Sequence, residues 1–174
     1  EWDFHVEDFM PERMALNLTA QNAPVSPAAD VSFAVSGAYL YGAPASGNSL
    51  QGKLFLRPLR DAVPALPGFQ FGDIAEENLS RSLDEVQTTL DDRGHAEVTA
   101  ASQWQESRSP LQVILQASLL ESGGRPVTRT VRQPIWPAET LPGIRPEFAL
   151  KEVYDYRTDS TIKQPVVDEN SNAA

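Results

Sequence analysis

Cysteine is absent from the 174 residues, histidine occurs twice, and Lys plus Arg number 14 against 24 Asp and Glu. The missing cysteine removes disulfides, thiolate metal sites and cysteine nucleophiles together. It leaves the compartment open, because a domain with a good core can do without disulfides even in an oxidising space. The shortage of cations gives a formal net charge of −10. A nucleic-acid binder needs clustered Lys and Arg to displace phosphate counterions, so no nucleic-acid partner is expected. An anionic membrane surface is disfavoured on the same ground. No run approaches the roughly 18–20 apolar residues of a membrane helix, and no direct membrane insertion is expected. Nothing at the start resembles a signal peptide. Glu1-Trp2-Asp3-Phe4 and the closing Asp168-Glu169-Asn170-Ser171-Asn172-Ala173-Ala174 read as cuts made inside a larger protein.

Chemical motifs are equally scarce. His5 and His95 stand far apart with no H-x-H or H-x-x-x-H spacing, so surface or strand-edge roles are expected for both rather than a zinc or catalytic pair. Ser36-Gly37, Ser46-Gly47 and Ser122-Gly123 carry no G-x-S-x-G elbow and read as strand and turn chemistry. Asp73, Glu76 and Glu77, or Asp91 and Asp92, fit no EF-hand spacing and read as solvated loop charge. Asn17-Leu18-Thr19 and Asn78-Leu79-Ser80 match a glycosylation sequon by chance. No catalytic, cofactor-binding or metal residue is expected, no cofactor is implied, and the chain is not expected to be an enzyme.

What is present is alternation. Hydrophobic residues make up 41% of the chain, enough for a packed core. Val31, Phe33, Val35, Tyr39 and Tyr41 occupy every second position with Gly37 in register, and small residues lie between them. Successive side chains of a strand point to opposite faces, so Phe33 and Val35 should face a core and Tyr41 should near the end of the domain. After the turn formers Gly42 to Asn48, Leu50, Leu54 and Leu56 alternate with Gln51, Lys53 and Arg57. The two runs are expected to pair antiparallel.

Further strands are expected at Trp2–Val6, around Met14, Leu16 and Leu18, at His95–Ala101, through Leu111, Val113, Leu115, Ala117 and Leu119, and through Val127, Val131 and Ile135. Asp91-Asp92-Arg93-Gly94 reads as a hairpin turn, with Gly94 taking positive φ. Ser122-Gly123-Gly124-Arg125 reads as another. Asp73–Leu90 is ambiguous: Leu79, Leu83, Val86 and Leu90 fall at helical spacing. A turn of helix or an irregular loop to about residue 80, then a strand, is expected there. Phe69, Phe71 and Ile74 form either a lid over one end of the body or a patch for a partner. The sum is all-β: an antiparallel sandwich of seven to eight strands, fibronectin- or immunoglobulin-like in kind. Residues 1–137 read as one domain. Residues 138–174, with Pro142, Gly143 and Pro146 and a strand at Phe148–Tyr156, read as a linker and the first strands of a following, incomplete module.

Four pieces in order carry a family resemblance: Val6-Glu7-Asp8-Phe9-Met10-Pro11-Glu12-Arg13-Met14, Ala38-Tyr39-Leu40-Tyr41-Gly42-Ala43-Pro44, Thr89-Leu90-Asp91-Asp92-Arg93-Gly94-His95-Ala96 and Pro142-Gly143-Ile144-Arg145-Pro146. Together they resemble the macroglobulin-like domains of bacterial α2-macroglobulins, although residues 59–83 form a longer and less strand-like segment than the plainest members have. The resemblance implies a structural module of a protease trap of the cell envelope. In such a trap a protease cuts a bait segment, the molecule changes conformation and, in many members, a Cys–Gln thioester captures the protease. With no cysteine here, any thioester lies elsewhere in the parent. The implied partners are neighbouring macroglobulin domains of the same chain and, for the whole protein, proteases. The implied location is periplasmic, with the parent possible as a membrane-anchored lipoprotein. A fibronectin- or immunoglobulin-like adhesion module would show the same strand count. A carbohydrate-binding sandwich beside a hydrolase would want a row of exposed aromatics, for which Trp2, Trp104 and Trp136 are scattered in sequence.

Overall fold

The structure, a computed structural model, describes residues 11–73, 75–121, 124–145, 150–155 and 160–165, the last two stretches as backbone only. Its main strands are β1 (Met14–Thr19), β2 (Val31–Tyr39), β3 (Ser49–Pro58), β5 (Arg81–Thr89), β6 (His95–Ala100), β7 (Leu111–Leu120) and β8 (Val127–Ile135). Four shorter pieces complete the set: β4 (Gln70–Phe71), β9 (Gly143–Ile144), β10 (Leu150–Asp155) and β11 (Ser160–Pro165). No helix occurs among the described residues. The seven main strands form two antiparallel sheets, ordered β1-β2-β6 and β5-β3-β7-β8. This is the expected all-β sandwich. β10 lies within the strand expected at Phe148–Tyr156 and pairs with β11. The strand expected at Trp2–Val6 lies outside the described residues.

The alternation sets what faces inward. Val31, Phe33 and Val35 of β2 are buried from one side, and Leu50, Leu54 and Leu56 of β3 with Leu111, Val113, Leu115, Ala117 and Leu119 of β7 from the other. These are the middle strands of their sheets, where both flanks are hydrogen-bonded and one face can be wholly dry. Phe33 is 0% exposed. Each buried Val, Leu or Phe among them contributes about 1.5–3 kcal/mol.

Two sequence expectations about connections are overturned. β2 and β3 do not pair: β2 lies between β1 and β6, while β3 lies between β5 and β7. The Gly42–Asn48 turn carries the chain from one sheet to the other. Nor is Asp91–Gly94 a hairpin turn, for β5 and β6 also sit in opposite sheets. Alternation and turn residues look the same whether a reversal stays in a sheet or crosses the core, because both need positive φ and polar caps at a sheet edge. The Gly124-containing connection does join a true hairpin, with Leu119 opposite Val127.

The helical spacing of Leu79, Leu83, Val86 and Leu90 also has a physical origin. β5 pairs with β3 through Leu54–Asp84, then resumes at Phe55–Ser82, so Leu83 is an extra residue. A bulge resets the two-residue alternation. Leu83 and Val86, three apart, can then both pack against the core. Before Arg81 the chain is irregular and buries Leu79.

Candidate contact surfaces at the two ends of the sandwich

Strand polarity places Met14, Tyr39, Ser49, Thr89, His95, Leu120 and Val127 at one end of the sandwich. Thr19, Val31, Pro58, Arg81, Ala100, Leu111 and Ile135 lie at the other. The chain therefore reaches β1 at the first end and leaves β8 at the second.

At the first end the two inter-sheet turns meet. The Gly37 amide donates to the Gly94 carbonyl (2.8 Å), and the Gly37 carbonyl accepts from the Ala45 amide (3.0 Å). Gly47 donates to the Leu90 carbonyl and Leu90 donates to the Asn48 carbonyl, both at 3.0 Å. Leu90 and Ala45 are buried beneath. The approach is possible because Gly37 has no side chain: a Cβ there would lie 2.6 Å from Leu90 Cδ1 and 2.8 Å from Leu119 Cδ2. Gly94 sits at φ +77°, and a Cβ on it would overlap the Gly37 carbonyl oxygen.

Asp91 organises the second turn. Its Oδ1 accepts the amides of Arg93 (2.9 Å) and His95 (2.8 Å). The His95 amide holds its carboxyl below the usual range, slight desolvation opposes this, and the Arg93 amide and the nearby His95 and Arg93 charges assist it. Asp91 is thus a turn-former. His95 is exposed at the start of β6, the strand-edge position expected of it; His5 lies outside the described residues.

At the second end, residues 59–73 and 75–80 form an annex. β4 pairs with β9, Gln70 opposite Ile144 and Phe71 opposite Gly143. Phe71 is buried and stacks on Phe69 at 6.4 Å between ring centroids. Arg145 lies over the Phe69 ring at 5.2 Å. A Cβ on Gly143 would stand 2.5 Å from Phe71 Cε1, so the glycine lets the ring lie flat on the departing chain. Arg60 Nη1 donates to the carbonyls of Phe71 (3.3 Å) and Asp73 (3.1 Å), and the Asp73 amide donates to the buried Ser109 hydroxyl (2.9 Å). Phe71 is buried against the exit segment and Phe69 is half-buried, so neither is an exposed patch, and neither belongs to the core cluster of the sandwich; Ile74 lies outside the described residues.

The remaining candidate residues fall on loops and strands without converging. Asp73 pairs with Arg108 at 2.8 Å, and Glu76 Oε1 accepts the Arg108 amide. Burial raises the Glu76 pKa, but hydrogen bonds from Ser109, Ser107 and Arg108 with the Arg108 charge outweigh it, so the group titrates below its ordinary value. Among the described residues no group of three or more His, Asp or Glu could hold a metal. Ser36 and Gly37 are mid-strand, Ser46 and Gly47 sit in the crossing turn, and Ser122 and Gly123 lie outside the described residues. Asn17 is in β1, and Asn78 takes φ 60°. Trp104 is buried and Trp136 half-buried, so neither supplies an exposed aromatic row.

Sequence reasoning missed three elements. Gln133 is buried in β8, its Nε2 donating to the carbonyls of Ala23 (2.9 Å) and Pro134 (3.0 Å) and tying the β1–β2 loop to the sheet. The Ser109–Asp73 contact and the Arg60 bonds carry no sequence signal, since their partners are backbone groups. The meeting of the Tyr39–Pro44 and Leu90–His95 pieces had a signal in the two glycines, Gly37 and Gly94, but not an address.

Residues 12–137 match the family described as the bacterial alpha-2-macroglobulin MG5 domain. The chain is 74% identical over 173 residues to the alpha-2-macroglobulin of Escherichia coli K12, covering 99% of this chain and 10% of that protein. It is 35% identical over 144 residues to the alpha-2-macroglobulin of Xylella fastidiosa Temecula1, covering 82% of this chain and 9% of that one. It superposes on trypsin-activated alpha-2-macroglobulin from E. coli with a TM-score of 0.82 and 74% identity, over 97% of this chain and 12% of that one. The native conformation of the E. coli protein gives the same score and identity over 98% and 11%. Salmonella alpha-2-macroglobulin reacted with methylamine gives 0.81 and 79% over 98% and 11%. The chain thus spans about a tenth of the length of the curated relatives it matches. The chain belongs to the bacterial alpha-2-macroglobulin MG5 domain family.

Proposed function

We propose that this chain is a non-catalytic structural module of a bacterial protease trap, transmitting position between neighbouring domains. The observation that carries the reading is the equal TM-score of 0.82 to the native and the trypsin-activated E. coli structures. Equal likeness to both states supports a segment that keeps its internal fold in each. Its architecture suits that task. A dry core between β2 and the β3–β7 pair resists deformation, because close-packed interiors transmit displacement rather than absorb it. The chain arrives at one end and departs at the other, so load enters and leaves along the strands.

In this reading residues 1–137 are the macroglobulin domain, and residues 138–174 are the linker and first strands of the next module. The direct partners are neighbouring domains of the same protein, proteases are the targets of the whole molecule, and its place is the periplasm or cell envelope. Any bait segment or thioester belongs to other parts of the protein. The test is to incubate the full-length protein with trypsin. Cleavage followed by compaction and retention of the protease is expected; cleavage with neither refutes the trap.

A further inference from the structure

Of the chain's 14 Lys and Arg residues, all but Arg157 lie among the described residues. The bond after each is a candidate cut for a protease whose acidic pocket takes a basic side chain. Such a protease needs a stretch of chain that can leave its own fold. Most of these bonds lie in strands: Lys53 and Arg57 in β3, Arg81 in β5, Arg129 and Arg132 in β8, Lys151 in β10 and Lys163 in β11. Arg13 precedes β1, and the residue after it, Met14, is buried. Three more sit in turns that hold them. Arg60 commits its guanidinium to the carbonyls of Phe71 and Asp73. Arg93 precedes Gly94, which is buried at φ +77°, donates to the Asp91 carbonyl (2.9 Å) and accepts from the Gly37 amide (2.8 Å). Arg108 pairs with Asp73, its amide donates to Glu76, and the next residue, Ser109, is buried. That leaves Arg125, between β7 and β8, and Arg145, after β9, both exposed and outside any strand. Each is followed by proline, Pro126 and Pro146. Proline makes up 14 of 174 residues, so finding it after both by chance is rare.

We propose that residues 11–145 withhold every Lys and Arg bond from trypsin-class proteases, by strand pairing or a held turn where the fold supplies one and by proline where it does not. Proline has no N–H, and its ring crowds the residue before it. At an Arg–Pro bond that ring sits on the nitrogen that must leave when the protease serine attacks the arginine carbonyl. An exposed arginine can then enter the pocket without its bond being cut. The protection is selective for basic residues. Ala28 and Ala65 are exposed in connections and are followed by Ala29 and Leu66, not by proline. An elastase, whose pocket takes small side chains, meets only surface turns there, which open at little cost. In a protease trap this leaves the trypsin cut to other segments of the parent, but the protection itself does not depend on that reading.

Limited proteolysis of the 174-residue chain, with the fragments mapped by mass spectrometry, tests this. Trypsin should cut nowhere within residues 11–145, whereas elastase should cut after Ala28 or Ala65. Pro126→Ala should open a trypsin cut after Arg125, and adding Arg125→Gln should close it again with the melting temperature unmoved. That reversal separates a newly accessible bond from a loosened fold. A trypsin cut within residues 11–145 of the unaltered chain overturns the proposal, as does a Pro126→Ala chain that trypsin leaves intact. Failure of elastase as well as trypsin overturns it too, since resistance would then belong to the whole fold and not to its basic bonds. Retention of trypsin by the full-length protein is a separate readout: its absence refutes the trap and leaves the protected bonds standing.

Discussion

Replacing Gly94 by alanine should destabilise the chain more than the same change at Gly42 or Gly47, although all three glycines have positive φ. Gly42 sits at +97° and Gly47 at +72°, each with open space where a Cβ would go. Alanine there meets only the left-handed backbone penalty, about 1–2 kcal/mol. At Gly94 (+77°) the Cβ would overlap the Gly37 carbonyl oxygen and approach the Ala45 nitrogen to 3.1 Å. Those atoms are backbone, and both are committed: the Gly37 carbonyl accepts from the Ala45 amide. No rotamer change can relieve the contact. Parting the two inter-sheet turns adds an overpacking cost of about 1–3 kcal/mol. The expected loss is about 2–5 kcal/mol at Gly94 against about 1–2 at the controls. For a chain of this size 1 kcal/mol moves the melting temperature by about 2–4 °C. Thermal unfolding followed by circular dichroism at 218 nm resolves such a gap, that wavelength being about where β-sheet absorbs. Equal losses at Gly94 and Gly47 would mean that the turns are not in contact, and the account of the corner would fall.

Further outcomes follow from the same contacts. Phe33→Ser removes a wholly buried ring and should lose about 3–5 kcal/mol from the cavity alone, a large part of a typical stability of about 5–15 kcal/mol. Ser32→Lys, one position along and on the outer face beside Thr99, should shift the urea midpoint little; equal sensitivity would show the register is wrong. Phe71→Ala should loosen the exit segment and raise proteolysis near Gly143 while leaving the amides of β2 and β7 protected; unchanged cleavage there would remove Phe71 from the clasp. Asp91 has a depressed folded pKa, so its contribution is present above its unfolded value of about 3.9 and is lost as pH falls through the folded value. Asp91→Asn should flatten the melting temperature against pH in that acid window and change little at pH 7, because the amide oxygen still accepts the Arg93 and His95 amides; an acid limb as steep as before would place the proton elsewhere.

The face of each strand was legible because a period of two is a strong signal wherever one side is dry, as for Val31, Phe33 and Val35 or the five buried residues of β7. Partner choice was not. Nothing in Tyr39 to Leu50 records whether the chain folds back on β2 or crosses to the other sheet, since that depends on which edges remain free after β6 and β7 have paired. β5 was legible as a strand from about residue 80, and the helical spacing that made its segment ambiguous has a local cause, the extra residue at Leu83. The annex was legible only as aromatic residues among prolines, because its bonds run from Arg60 and Ser109 to backbone groups.

The motif pieces fall where they do for a structural cause. A strand interior tolerates many apolar residues of similar volume, so its sequence varies without changing the fold. A crossing between sheets does not: it must reverse direction, bury carbonyls such as that of Gly37 with partners, and bring two turns within hydrogen-bond distance. Glycine at 37 and 94, Pro44 beside Ala38 and Asp91 as acceptor each answer one of those demands. Gly143 answers the corresponding demand at the far end, under Phe71. Pro11 to Met14, Tyr39 to Pro44 and Leu90 to His95 gather at the end where the chain comes in; Pro142 to Arg145 marks where it goes out. Among the described residues, the pieces that carry the resemblance thus lie at corners and exits, where the backbone geometry admits few residue types.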